Sequence, residues 1–189
     1  MGDARFTTLG GTLMLDFLNT FQMHQGQPVD LLMTACDVIG WLERMGEIHR
    51  LSPIQIERLV AAPTFSLGPL REFRLSCRTL LDEQRSFAEI ASWLTAFIDP
   101  SPMTFLVDAQ GSVFAVPVKG GTAGLLSLVA YDGVKLAKAR STSIKRCENP
   151  QCMAYFITQS GRRKWCAMET CGNRQKSYRH YRKLKGNIM

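Results

Sequence analysis

Apolar residues recur along the first three quarters of the chain in blocks that predict helices. The clearest block is 70–83, where Leu70, Phe73, Leu75, Cys77, Leu80 and Leu81 are interleaved with Arg71, Arg74, Arg78 and Asp82. The three arginines, at i, i+3 and i+7, form a stripe that reads as a solvated face beside Glu72, Asp82 and Glu83 rather than as a nucleic-acid patch. Start signals delimit the other helices. Thr12 caps a segment running through 21, and Thr34-x-x-Asp37 resembles a capping box opening a helix that Gly46 stops. Ser52-Pro53 opens a helix to about 61, and Ser86-x-x-Glu89 opens one over 87–98 that Pro100 prevents from continuing. Residues 104–107 and 113–118 read as a β-hairpin around Asp108-Ala109-Gln110-Gly111-Ser112, with Pro117 keeping the second strand at an edge. A further helix over 123–139 carries the apolar run Leu125 to Ala130. Residues 24–28 read as a loop and 31–33 as extended. Trp41 reads as a core anchor, and Cys36 and Cys77 as buried thiols.

After a Ser/Thr-rich joint at 140–144 the chain changes character. Cys147 and Cys152 form a C-x4-C pair, and Cys166 and Cys171 form a second, with thirteen residues between. Two equally spaced thiol pairs suit one tetrahedral Zn²⁺ site, one ion per chain. With four thiolates no coordination position is left for a reactive water, so the zinc is expected to be structural. Between the pairs, residues 154–157 are apolar, Gln159-Ser160-Gly161 is turn chemistry, and 162–165 lead back to Cys166, which predicts a hairpin of 154–157 with 162–165. Beyond Cys171 the segment to Lys185 has no proline or β-branched residue and reads as a basic helix. The expected class is therefore α+β: a mostly helical N-terminal domain with a β-hairpin (1–144), then a treble-clef-like four-cysteine finger ending in a basic helix (145–189).

Charge sharpens that division. Residues 1–144 hold twelve Lys and Arg against fourteen Asp and Glu, whereas 145–189 hold eleven against two, so the net charge of +7 belongs to the last quarter. A polyanion partner is expected there, double-stranded DNA first. The candidate DNA contacts are Arg162, Arg163 and Lys164 near the hairpin, and Lys176, Arg179, Arg182 and Lys183 on the helix. Asn173 and Arg174 begin that helix beside the last ligand, Asn173 placed to cap it or to orient the ligands, and Arg174 to pair with Glu148 or Glu169, the preferred reading, or to reach a phosphate. His180 is not needed as a ligand and reads as a groove contact or a solvent-exposed helix residue.

The run W-C-A-M-E-T-C-G-N-R-Q-K-S-Y-R-H (165–180), with R-C-E-N-P-Q-C (146–152) and G-R-R-K-W-C (161–166), closely resembles the CGNR zinc-finger family. Its signature letters stand at Cys171, Gly172, Asn173 and Arg174. Thr158-Gln159-Ser160 depart from the family pattern at the hairpin tip. Members usually carry an N-terminal ABATE domain with a motif like L-x-L-D-F-V-N-T, to which L-M-L-D-F-L-N-T at 13–20 is similar. The resemblance implies a bacterial transcription regulator with a sensing or dimerising N-terminal domain.

Catalytic signatures are missing: no G-x-S-x-G, no H-E-x-x-H, no phosphate-cradling loop, and three histidines far from any nucleophile in sequence. No apolar run approaches the roughly 18 residues that span a bilayer, and the first residues do not form a secretory signal. Six cysteines without such a signal suit a reducing cytoplasm. Asp16 and Asn19, three apart in an apolar helix, read first as a structural hydrogen-bonded pair and second as a pocket for a small effector. The competing classes are thus a DNA-binding regulator able to form a homodimer, a zinc-stabilised protein- or RNA-interaction module, and an enzyme with an N-terminal pocket.

Overall fold

The computed structural model describes residues 5–61, 64–138 and 143–178. In chain order its elements are α1 (Leu13–Leu18), β1 (Phe21–His24), β2 (Gln27–Asp30), α2 (Ala35–Glu47), α3 (Pro53–Val60), α4 (Leu67–Asp82), α5 (Phe87–Thr95), β3 (Met103–Val107), β4 (Val113–Pro117), α6 (Gly121–Lys138), β5 (Ser143–Arg146) and β6 (Tyr155–Thr158). Each pair of consecutive strands forms its own antiparallel hairpin. The class is α+β.

At the centre lies α1, every residue of which is buried. Six residues cannot sustain a helix alone, so its free N-terminal amides need outside partners. Thr12 Oγ1 accepts from Leu15 N at 3.3 Å, and the Asp132 carboxylate of α6 accepts from Met14 N at 2.9 Å. Around it α4 and α6 close the core. Phe17 stands edge-on to Trp41 with ring centroids 5.4 Å apart and meets Phe73 at 6.0 Å, and Phe73 meets Phe97 edge-on at 4.8 Å. Trp41 is the core anchor its pattern predicts.

The capping signals act as read. Thr34 with Asp37, Ser52 with Gln55, and Ser86 with Glu89 each form a reciprocal capping box. Gly46 does not stop α2, which runs to Glu47 and closes with Arg50 N bonded to Met45 O and His49 N to Gly46 O. That motif puts His49 in the left-handed region at φ 57, where glycine is usual. Cys77 is buried, whereas Cys36 is exposed on the outer face of α2.

Three further expectations are corrected. The first helix ends at Leu18 rather than at 21, because Thr20 turns back to Phe17 O and the chain enters the β1–β2 hairpin. Its turn residues Gln25 and Gly26 both have positive φ, the requirement of a tight hairpin turn. Second, the arginine stripe is not solvated: Arg74 is 2% exposed and Arg78 6%. Arg74 donates to Asp30 Oδ2 and Thr20 Oγ1, both at 2.6 Å, which lets the core hold a guanidinium whose buried Nε has no partner among the described residues. Third, β6 pairs with β5, which precedes the first cysteine pair, and not with 162–165. Ile144 opposite Ile157 gives that ladder an apolar face against the main core. The four residues of β5 include Ser143 and Ile144 of the expected joint; residues 139–142 lie outside the described residues.

β6 is also what joins the finger to the centre of the fold. Ile157 N donates to Gly10 O at 3.1 Å, and Asn19 of the α1 turn exchanges two hydrogen bonds with the Tyr155 backbone, at 2.8 and 2.9 Å. Side chains are unwelcome at this contact. A Cβ on Gly10 would lie 2.7 Å from Asp16 N, and one on Gly11, already at φ +88, would lie 2.7 Å from the Ile157 side chain.

Candidate metal centre and nucleic-acid interface

The β5–β6 hairpin, interrupted by a knuckle, carries the first two ligands. Cys147 N continues the ladder to Ala154 O at 2.9 Å, and a turn closed by Cys152 N on Asn149 O at 2.8 Å brings Cys152 back beside it. Extended residues then lead to Cys166, whose N–H points at Cys147 Sγ, 3.5 Å away. Cys171 sits in a wide turn, Met168–Gly172, from which a helix continues through 173–178. The four Sγ atoms all lie within 4.8 Å of one another, with 3.7 Å from Cys152 to Cys166 and 3.5 Å from Cys166 to Cys171. A tetrahedron with zinc–sulfur bonds of about 2.3 Å has edges of roughly 3.8 Å, so the sulfur spacing suits zinc with no more than about 1 Å of adjustment. Hydrogen bonds from the Cys152 and Cys166 thiols draw the Cys147 thiol well below its usual range and push those two donors up. Zinc replaces these thiol–thiol hydrogen bonds with bonds to four deprotonated sulfurs, so its binding releases protons.

Residues 143–183 match the family model described as CGNR zinc finger. No curated protein matches the chain. The CGNR finger of this chain holds one structural zinc on Cys147, Cys152, Cys166 and Cys171. Around it, Ala154 and Phe156 are buried with the thiols, and Leu9 and Trp165 pack against them. Sequence reading missed two polar residues of this shell. Asn149 is 1% exposed, and its Oδ1 accepts from Gln151 N and from Gln175 Nε2, both at 3.0 Å. The first knuckle is thereby tied to the helix that follows the last ligand. The half-buried position of Gln175 between exposed Arg174 and Lys176 is visible only once the helix is placed.

The expected DNA contacts divide by what already holds them. Arg163 is exposed but folds its guanidinium back onto the finger: it donates to Trp165 O at 2.9 Å and to Cys166 O, and stacks on the Phe156 ring 4.5 Å from the centroid. Lys164 pairs with Glu148 at 3.4 Å. Arg162 and Lys176 are exposed with no side-chain partner among the described residues. Asn173 and Arg174 are exposed as well; Glu148 goes to Lys164 and not to Arg174. Arg179, His180, Arg182 and Lys183 lie outside the described residues.

Asp16 and Asn19 face the interior in different directions. Asn19 holds the Tyr155 backbone. Asp16 accepts from Gly10 N at 2.8 Å and from Arg50 Nε at 3.2 Å. Burial pushes its carboxyl from 3.8 up to about 6, against the pull of the Gly10 N–H and Arg50. An acid whose native pKa exceeds its unfolded value keeps its proton in the folded chain between about 4 and about 6. Unfolding releases that proton, so stability falls as pH rises through the window and is flat above it. The stability of the native protein relative to Asp16→Asn is expected to rise by about 2 kcal/mol from pH 7 to pH 4. Urea unfolding of both proteins at several pH values measures this, and a constant difference would show that Asp16 does not titrate there.

Proposed function

We propose that this chain is a DNA-binding transcription regulator whose zinc-fixed C-terminal helix and the adjoining Arg162 segment contact duplex DNA. The observation that carries the reading is the state of the cations. Zinc sets the direction of the helix, and among the described residues exposed Arg162, Arg174 and Lys176 have no protein partner, while the rest of the chain is slightly acidic. An exposed Tyr178 on the same helix adds a ring able to pack on sugar or donate to phosphate. Arg163 and Lys164 then support the module and contribute little to the DNA contact. The burial of all of 13–20 at the centre of the fold supports assigning the N-terminal part to an ABATE-type domain, with a sensing or dimerising role and no catalysis of its own. A cytoplasmic location follows from the same reading; among the described residues no helix is long and apolar enough to cross a membrane.

The test is fluorescence anisotropy of the full chain on a pool of random duplexes across a range of salt. If about five phosphates are neutralised, log affinity falls against log salt with a slope of roughly −4 to −5. Lys176→Ala is expected to reduce that slope by about 1 if it meets phosphate, or to change the preferred sequence by about 1 to 3 kcal/mol if it meets a base. No binding at low salt, or binding indifferent to joint replacement of Arg162 and Lys176 by glutamate, would reject the reading in favour of a protein- or RNA-binding finger.

A further inference from the structure

Residues of α3, the β3–β4 hairpin and α6 line an open groove of about 1230 Å³. Its apolar wall is made by Ile56 and Val60 of α3 with Phe105 and Phe114 of the hairpin. Phe105 is 65% exposed, an unusual placement for a large ring unless something covers it. The facing wall is polar and holds two cations with unspent capacity. Arg50 gives its Nε to Asp16, and among the described residues neither of its Nη atoms has a protein acceptor; Lys135 has as its contact the ring of Tyr131, 5.3 Å from the centroid.

The carboxylates of the same groove limit the charge it accepts. Asp132 is committed through Oδ2 to Met14 N, and Glu57 is exposed on α3. Asp16, behind Arg50, cancels part of the guanidinium charge. With Asp132, Glu57 and Asp16 set against Arg50 and Lys135 the groove has no net positive charge to hold a dianion; a single carboxylate is held locally, by the paired Nη donors of Arg50 in the forked geometry that guanidinium groups favour.

We propose that this groove binds an amphipathic monocarboxylate, an aryl or medium-chain alkyl acid whose carboxylate meets Arg50 and Lys135 and whose body lies against Ile56, Phe105 and Phe114. This names a ligand class for the effector that the regulator reading calls for, and it is tested without DNA, so failure of one leaves the other standing. Arg50 links the ligand to the finger as well, since Gly10 donates to the same Asp16 and accepts from Ile157 of β6.

Isothermal titration of the full chain with 3-phenylpropionate, phenethylamine and 3-phenylpropanol compares one aryl body bearing an anion, a cation and no charge. Saturable binding of 3-phenylpropionate, at least about tenfold tighter than either of the others, is expected. Lys135→Glu and Phe105→Ser both change exposed side chains and leave the core intact; each should weaken the acid by about tenfold while circular dichroism stays unchanged. No saturation by the acid, equal binding of the amine, or affinity unchanged in both variants would overturn the proposal.

Discussion

Cys166→Ser protein is expected to hold less than a tenth of an equivalent of zinc and to lose the ordered structure of the finger. Cys166 lies between two other ligands, at 3.7 and 3.5 Å, and its amide is directed at a third. Replacing its sulfur therefore disturbs the whole tetrahedron rather than one corner. A structural zinc is worth roughly 10–16 kcal/mol in small modules of this kind, and among the described residues the buried shell is Ala154, Phe156 and the thiols, with Leu9 and Trp165 partly buried against it. Nothing of that size remains to order the knuckles without metal. The helical core around α1 should stay folded, with a lower melting temperature, because Tyr155 is a member of the main core and its backbone satisfies Asn19. Metal analysis with amide exchange across residues 143–178 checks both halves. A variant that kept a full equivalent of zinc with native protection would remove zinc as the organiser of the finger.

Where sequence and structure agree, the deciding chemistry is local. A Thr or Ser and its partner three residues on form a capping box whatever lies across the core, so Thr34 with Asp37 and Ser86 with Glu89 were readable in isolation. The cysteine pairs were readable because a metal fixes their spacing. Disagreement arises where the partner is distant in sequence. Arg74 and Arg78 look solvated beside Glu72 and Asp82, yet their acceptors are Asp30 and Thr20 for one, and Leu18 O and Met153 O for the other. β5 carries too little alternation to announce a strand, and its pairing with β6 depends on Ile144 and Ile157 meeting the α1 core. Asn19 fell between these cases: its polarity in an apolar helix was plain, but its partner lies 136 residues away.

Arg78→Ala is expected to be the most damaging single change outside the cysteines, at about 3 to 5 kcal/mol. The Arg78 guanidinium donates to Leu18 O at 3.1 Å and to Met153 O at 2.7 Å, and lies over the Tyr155 ring at 4.7 Å. It thereby joins the end of α1, α4 and the finger's β6 at one buried point. Burial lowers its pKa below the usual arginine range, though a guanidinium remains charged at any ordinary pH. Removing it strands two carbonyls, each at about 1 to 3 kcal/mol when buried, and leaves a void against the tyrosine. Arg78→Lys would keep the charge without the fork and is expected to recover less than half. The neighbouring Arg71 supplies the control: its pair with Asp30, at 3.1 Å, is 40% exposed on the arginine side. Arg71→Ala should cost no more than about 1 kcal/mol. Urea unfolding of the three variants, with amide exchange at Tyr155 and Ile157, decides the matter. Equal costs at 71 and 78, or unchanged protection of the β6 amides in Arg78→Ala, would mean that Arg78 does not hold the finger to the core.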